Sequence, residues 1–357
     1  MQMSFGSMEM LQRVRKNKTL MKVDALINWE ALRPQFKKLY KRDSSHAGGQ
    51  EPFDALLMFK AILLAQWHCL SDEKLEEALN VRIDFMQFCG LTLSDPVPDA
   101  TTICRFRNRL IKANKLDALL ASINAQLQRQ NLMVKEATGA VIDATLIESA
   151  VRPNKSITIE TDSEGQQIIY ADGSQPGIIC DEKLSADADA TWVKKGKKSH
   201  LGYRSYVTVD ATDGYVRGVH TAPANESETK HFIQALDKAN FKKTRVYADK
   251  GYASKSNREH LHKQKIKSGI MHKGQRNKPL SARQIKANKL ISKRRYIVEQ
   301  FFGTAKRLFG MGRSSYMSTA KVNAQVIMKG ICINLLKAAN KILMNYQIKG
   351  KIRLKSA

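Results

Sequence analysis

The first third of the chain spaces its apolar residues as helices do. Between Phe53 and Leu64 apolar side chains recur at mixed helical spacing, directly after Pro52, which suits the first turn of a helix. Ser71 is followed by two acids, which favour a helix start electrostatically. Helices separated by short breaks are therefore predicted throughout residues 1–135.

A basic helix is predicted within the stretch PDATTICRFRNRL, where Asp99 is a plausible N-cap. Its three arginines, Arg105, Arg107 and Arg109, are candidates for DNA binding. Two short helices followed by a basic helix after a tight turn resemble a helix-turn-helix, whose last helix enters a major groove. A helical bundle with a solvated basic face explains the same pattern equally well, so both interpretations stay open.

After Gly139 the pattern changes to short apolar runs that are typical of strands. The run AVIDATLI contains Asp143, the flanks of ATDG predict a hairpin, and the strand in TRVYADKGY ends at Asp249. Helices are predicted over NESETKHFIQALDKAN and SKSNREHLHKQ, then over 283–306 and 323–345, with a short strand in IKSGIMH. This order indicates an α/β fold, a mixed sheet flanked by helices.

An acidic segment between Ser156 and Val193 interrupts this pattern, with eight acids and one lysine. It is interpreted as a surface insertion or a long hairpin. Trp192 lies near its end, where stacking on a base is possible but a packing role is favoured.

Charge is distributed unevenly along the 357 residues, whose net charge is +27. Residues 1–240 hold 31 basic and 30 acidic side chains, whereas residues 241–357 hold 29 and three. A region this basic suits a polyanion, of which nucleic acid is the first choice. A ribosome-associated or RNA-binding tail without chemistry remains the alternative.

Composition narrows the class of protein further. A hydrophobic content of 43% indicates a globular protein, and no apolar run reaches the ~18 residues of a membrane span. The N-terminus lacks the features of a signal peptide, and five scattered cysteines favour a reducing compartment, so a cytoplasmic protein is predicted. The phosphate-binding motifs GxxxxGK[ST] and GxGxxG are absent, so no nucleotide cofactor is expected.

Three acids occupy special places: Asp143 in the first core strand, Asp249 at the end of a later strand and Glu299 on a late helix. Acids are disfavoured inside strands, and a buried unpaired carboxylate is costly. Each has an ordinary explanation, as a turn cap beside Thr145, as turn chemistry before Lys250, and as a helix salt bridge with Arg295. Metal coordination would offset the cost of all three, because Mg²⁺ prefers carboxylate oxygens with water and phosphate. Their order of strand, strand and helix favours the metal site.

These residues carry a resemblance to the DDE transposases of bacterial insertion sequences, closest to the insertion sequence 5 family. VIDATLI resembles the strand of the family's first aspartate and VYADKGY that of the second. The family's Tyr-Arg-Glu-Lys pattern fits at Arg295, Glu299 and Lys306, but Ser292 stands where the tyrosine is expected. The resemblance covers roughly residues 53–339.

The resemblance implies a ribonuclease H-like catalytic core after an all-α, helix-turn-helix-like N-terminal domain that recognises terminal inverted repeats. Residues 1–135 would be this DNA-binding domain and 136–345 the catalytic domain, with the acidic insertion at about 150–195 and a basic tail at 346–357. Asp143, Asp249 and Glu299 would bind two Mg²⁺ ions, which Mn²⁺ could replace. Water attack would free a 3′-hydroxyl at each element end, and this hydroxyl would attack target DNA.

The partners implied are double-stranded DNA, as element ends and as target, and a second copy of the chain in the DNA complex. Arg295 and Lys306 are assigned to phosphates near the scissile bond, since fixed cations position the strand, although Lys306 could also be an ordinary surface lysine. Lys250 is a further candidate for DNA binding. Asn225 and Glu226 are further candidates near the site. Two alternatives stay open: a sequence-specific DNA-binding protein on an inactive transposase scaffold, and a ribonuclease H-like nuclease acting on RNA hybrids or junctions.

Overall fold

The computed structural model describes residues 18–40, 51–135, 139–152, 155–159, 178–182, 186–239 and 244–348. The predicted basic tail at 346–357 lies outside these residues from position 349 onward, and so do large parts of the acidic insertion. Within the described ranges no helix has the length and apolar character needed to cross a bilayer.

The N-terminal part is helical, as predicted. Its elements are α1 (Lys18–Leu26), a 3₁₀ turn (Glu30–Leu32), α2 (Arg33–Phe36), α3 (Ala55–His68), α4 (Asp72–Val81), α5 (Ile83–Cys89), α6 (Ala100–Lys112) and α7 (Leu116–Arg129). Ser71 and Asp99 cap α4 and α6 by accepting backbone N–H groups. Pro52 does not lie in the first turn of α3, because Asp54 is the cap and the helix begins at Ala55.

The second part is a mixed sheet. Its strands are β1 (Ala140–Glu148), β4 (Thr191–Lys195), β5 (Lys198–Asp210), β6 (Val216–Pro223), β7 (Arg245–Ala248) and β8 (Lys267–Ile270), while β2 (Lys155–Ile159) and β3 (Ile178–Glu182) form a separate antiparallel pair. The main order is β6-β5-β1-β7-β8, in which β1 is antiparallel to β5 and parallel to β7. The β5–β6 connection confirms the predicted hairpin, with Gly214 at a positive φ of 66°.

The acidic insertion contributes the β2–β3 pair and β4. The β4 strand pairs with the N-terminal half of β5 through a tight turn at Gly196 and Lys197. This hairpin extends beyond the end of β1, because Glu148 already pairs with Gly202.

Four helices complete the fold: α8 (Glu228–Lys238), α9 (Lys255–Lys263), α10 (Ala282–Phe309) and α11 (Thr319–Ile348), with a 3₁₀ turn at Lys250–Tyr252. A capping box of Ser281 and Gln284 starts α10, and Gly310 ends it in the left-handed conformation. Both long helices extend a few residues beyond their predicted ends.

Helices cover both faces of the sheet. One face packs against α8 and α9 through a cluster that includes Tyr206, Phe232 and Tyr252. The other face belongs to a larger cluster that joins α10 and α11 to the N-terminal helices without a break. Because α11 packs against α1, α3, α7 and β6, position 135 marks a change of element type within one continuous core.

This architecture is the ribonuclease H-like mixed sheet flanked by helices, preceded by a helical region, that was predicted. The parallel pairing of β1 with β7 determines where two of the three singled-out acids lie. It brings Ile142 opposite Ala248, so the next residue on each strand is an aspartate.

Candidate active site

Asp143 and Asp249 lie side by side at the carboxyl edge of the parallel β1–β7 pair; β1 itself runs on to Glu148 alongside β5. The pairing of β1 with β7 ends at Ile142 and Ala248. Asp143 is the next residue on β1, and Asp249 is the first residue after β7. Ligand sites of α/β sheets form at this edge, where strands end and loops begin. The side chains are 18% and 34% exposed, so both carboxylates are partly withdrawn from water.

Arg295 of α10 joins the two aspartates. Its Nη2 lies 2.7 Å from Asp143 Oδ2 and its Nη1 lies 3.3 Å from Asp249 Oδ1. The arginine side chain is 12% exposed, and no partner of its Nε is found among the described residues. One guanidinium therefore neutralises parts of two carboxylates.

Burial raises the pKa of Asp143 above its usual value, and the positive charge of Arg295 opposes that shift. Asp249 raises the same pKa further, because two negative charges lie close together. A cation bound at this position would offset both the cost of burying the charge of Asp143 and its repulsion by Asp249.

Glu299 lies one helical turn beyond Arg295 but does not pair with it. Arg295 points to the sheet, whereas Glu299 is exposed, and no ion pair or hydrogen bond of its carboxylate is found within the described part of the chain. The salt-bridge alternative for Glu299 is therefore wrong. The i, i+4 rule describes isolated helices, and here the partly buried aspartates bind the guanidinium instead.

The donor set suits a hard divalent ion. Asp143 and Asp249 offer carboxylate oxygens from adjacent positions, and Mg²⁺ is held by one or two carboxylates together with water and substrate oxygens. Among the described residues, however, no group of three or more His, Cys, Asp or Glu side chains stands close enough to hold a metal. Two aspartates are in place, and Arg295 lies between them.

A further carboxylate, Glu228, belongs to this edge and was missed from the sequence. It opens α8, its Oε1 lies 3.4 Å from Arg204 Nη1, and its side chain is 29% exposed. The predicted neighbour Glu226 turns away instead, with its Oε2 2.9 Å from His231 Nε2. Asn225 is tied through its backbone N–H to Thr191. The sequence carries no signal for Glu228, which looks like an ordinary acid in a first helical turn.

Arg107 does not fit its predicted role in DNA binding. It is 5% exposed, and its two Nη atoms donate to the two oxygens of Asp72 at 2.6 and 2.8 Å. Its guanidinium also stacks over Tyr316, at 4.2 Å from the ring centroid. Arg107 thus ties α6 to α4 and to the segment before α11, because alternate residues of a helix point in different directions.

The other predicted cations lie on the surface. Arg105, Lys250 and Lys306 are exposed, as is Arg109, whose guanidinium lies 5.5 Å from the Tyr40 ring. Burial and the neighbouring Lys195 lower the pKa of Lys306. The α10 helix packs against β5, the second strand of the β4–β5 hairpin.

The β4–β5 hairpin carries four lysines near its turn: Lys194, Lys195, Lys197 and Lys198. Trp192 on β4 is 46% exposed, so the favoured packing role is not what the structure gives it. A strand at the tip of an extension has little core to cover, which leaves the indole face in solvent.

A basic cleft lies beneath the first half of α10. Its volume is about 890 Å³. The cationic side chains that line it are Arg245, Arg258, Lys293 and Arg294. Tyr247 of β7 is also part of its wall. Because Tyr247 precedes Asp249 by two residues, the cleft extends along β7 towards the aspartates.

Comparison with known proteins decides the family. The transposase DDE domain matches residues 135–335, and a transposase domain named DUF772 matches residues 8–109. The chain belongs to the DDE transposases of bacterial insertion sequences. It is 43% identical over 238 residues to the transposase for insertion sequence element IS1106 of Neisseria meningitidis serogroup B, covering 67% of this chain and 78% of that protein.

Solved structures give weaker likenesses. The piggyBac transposase synaptic complex with hairpin DNA matches with a TM-score of 0.37 at 11% identity, over 95% of this chain and 81% of that chain. The Mos1 transposase paired-end complex with left transposon end matches with a TM-score of 0.22 at 11% identity, over 87% of each chain. Scores this low carry no structural argument.

Membership of this family makes the chain a metal-dependent polynucleotidyl transferase and endonuclease of transposition. Members of the DDE transposase family use divalent metal ions.

Proposed function

We propose that this DDE transposase binds the terminal inverted repeats of its insertion sequence, cleaves DNA at the element ends and joins the 3′-hydroxyls to target DNA. The observation that carries the proposal is the pair Asp143 and Asp249 at the carboxyl edge of the sheet, bridged by an arginine from α10. Exchange of phosphodiester bonds needs no nucleotide cofactor, because the bond energy is conserved.

The proposed metal ligands are Asp143, Asp249 and Glu299, holding two Mg²⁺ ions that Mn²⁺ can replace. When bound, such ions make water a stronger nucleophile and stabilise the leaving oxygen of a phosphodiester. The chain's part is to supply oxygen ligands from two strands and one helix. Glu299 suits this role because its carboxylate is exposed and takes no partner among the described residues.

Cations around the acids are proposed to hold the DNA strand. Arg295 lies between the aspartates, Lys250 follows Asp249 directly, and Lys306 lies two turns beyond Glu299 on α10. Fixed positive charges at these points would position the scissile phosphate and offset its developing charge.

A wider DNA surface is proposed on both sides of the acids. Lys195 of the β4–β5 hairpin lowers the pKa of Lys306 by its charge, so the hairpin is proposed as one cationic wall, and the basic cleft beneath α10 as a second. Arg105 and Arg109 on α6 remain candidates for contacts with the element ends, whereas Arg107 is removed from that group by its burial. A homodimer is proposed in the DNA complex, because two element ends must meet.

The test uses the purified full-length chain and labelled duplexes that carry the inverted repeats flanking its coding region. We expect nicking at the element ends and joining to a target duplex with Mg²⁺ or Mn²⁺, and neither with EDTA. Binding to the ends without cleavage under any divalent metal would instead support a DNA-binding protein on an inactive scaffold. Cleavage confined to RNA–DNA hybrids would support the nuclease alternative.

A further inference from the structure

Glu228 lies against Gly251, in the turn that follows Asp249. It begins α8, on the face of the sheet opposite α10, and the first turn of α8 packs against the 3₁₀ turn Lys250–Tyr252. That turn follows Asp249 directly. The helix therefore delivers a carboxylate to the same edge from the other side of the sheet.

The backbone beside Asp249 is shaped to receive this carboxylate. A Cβ atom built on Gly251 would collide with Glu228 Oε2, and the carboxyl carbon would lie 3.2 Å away. This residue must therefore be glycine for Glu228 to reach its position. The contact places Oε2 against the chain two residues beyond Asp249.

The ion pair with Arg204 does not account fully for the position of Glu228. At 3.4 Å the contact uses Oε1, and Arg204 Nη1 also donates to the Glu226 carbonyl at 3.2 Å. Burial raises the pKa of Glu228; Arg204 lowers it, and Asp143 and Asp249 raise it again. The charged form of Glu228 is thus repelled by both aspartates.

Charge at the edge is out of balance. Asp143, Asp249 and Glu228 are contacted by two guanidinium groups, of Arg295 and Arg204. Half-buried carboxylates that repel each other destabilise the fold. Because the carboxylates here outnumber the guanidinium groups, a further bound cation would stabilise the cluster.

We propose that Glu228 is an additional carboxylate of the metal site, which binds a divalent ion together with Asp143 and Asp249. This inference rests on the proposed function, in which the two aspartates hold divalent ions. It adds a ligand from α8 to the three acids on β1, β7 and α10. The side chains do not form a ready chelate as they stand, because Arg295 holds the space between the aspartates.

The test measures Mn²⁺ binding to the full-length chain without DNA, by titration followed with electron paramagnetic resonance. For Glu228→Gln, which keeps the size of the side chain and one acceptor oxygen, we expect Mn²⁺ affinity to fall about 10- to 100-fold, the range found when groups that support a metal site are lost. Glu226→Gln is the matched control, two residues away and turned towards His231, and its affinity should equal that of the wild type.

A second variant moves the carboxylate without removing it. Gly251→Ala places a methyl group against Glu228 Oε2, so Mn²⁺ affinity should fall here too. Adding Glu228→Gln to this variant should cause little further loss, because the two changes act on one contact. Thermal unfolding without metal separates a folding defect from a binding defect.

The outcomes distinguish this inference from the proposed function through a third variant, Asp143→Asn. If Asp143→Asn weakens Mn²⁺ binding but Glu228→Gln binds as tightly as the wild type, Glu228 is only the partner of Arg204 and the inference is overturned. If neither variant changes Mn²⁺ binding, the proposed metal site itself is wrong.

Discussion

The helical N-terminal region and the carboxyl edge of the sheet handle charge in opposite ways. In the helical region, buried Arg107 has one carboxylate to itself, Asp72, and both oxygens are used. At the sheet edge, Arg295 is shared by Asp143 and Asp249. Charges that are matched in number hold the fold together, whereas carboxylates in excess of their cations mark a place for a further cation.

The largest effect should come from removing a carboxylate at the sheet edge. Asp143→Asn or Asp249→Asn should lower cleavage of element-end DNA by about 1,000-fold or more, because several kcal/mol of charge stabilisation depend on the bound metal. Mobility-shift titrations should show end binding within about threefold of the wild type, since DNA contacts come mainly from cations. Cleavage at wild-type rates in both variants would show that the two aspartates have only a structural role.

Breaking the matched pair should reduce stability and leave the chemistry alone. Arg107→Met should lower the free energy of unfolding by about 3 kcal/mol, because Asp72 is left partly buried without its partner. Chemical denaturation measures this. Arg33→Met is the control at an exposed site, where Arg33 contacts both Glu30 and Asp54, and it should cost about 1 kcal/mol or less. Equal losses at the two sites would remove the contrast between buried and surface pairs.

The shared arginine should oppose metal binding while supporting catalysis. Arg295→Gln should tighten Mn²⁺ binding by roughly tenfold, since a positive charge between the aspartates is lost. The same variant should cleave DNA about 10- to 100-fold more slowly, because a phosphate-positioning cation is missing. Weaker Mn²⁺ binding together with loss of folding stability would instead place Arg295 in the same class as Arg107.

The smallest effects are expected on the surface beside α10. Lys306→Gln and Lys195→Gln should each weaken binding to DNA by about three- to tenfold and reduce the slope of log affinity against log salt by about 1. Fluorescence anisotropy at several salt concentrations measures both quantities. Lys238→Gln, in the last turn of α8 and paired with Asp117, is a control of equal charge change. An unchanged slope for Lys306→Gln would exclude this lysine from the DNA surface.

Much of the fold follows from local pattern. The run AVIDATLI and the strand before Asp249 were predicted within a few residues, since short apolar runs between turn signals have few other solutions. The hairpin strand β4 was not predicted, because Lys194 and Lys195 interrupt any alternation of apolar and polar residues. The parallel register of β1 and β7, which sets the two aspartates side by side, could not be predicted from local pattern, because it depends on how distant strands pair.

The site was predictable as a set of acids, not as a network of contacts. Asp143 and Arg295 are 152 positions apart, so only the fold shows that they meet. Helical spacing suggested Arg295 with Glu299 and made Arg105, Arg107 and Arg109 look alike. Burial separates them, because α6 turns Arg107 inward while Arg105 and Arg109 stay outside. Glu228 carries no local signal at all.

Glu299 gives the most direct test of the proposed metal site. The measurement is Mn²⁺-dependent cleavage of element-end DNA by Glu299→Gln, beside Glu259→Gln, which removes an exposed acid from α9. If Glu299 is the third metal ligand, the first variant should bind the ends but cleave them at least about 100-fold more slowly, and the control should match the wild type. Cleavage by Glu299→Gln at the wild-type rate would contradict the three-acid site.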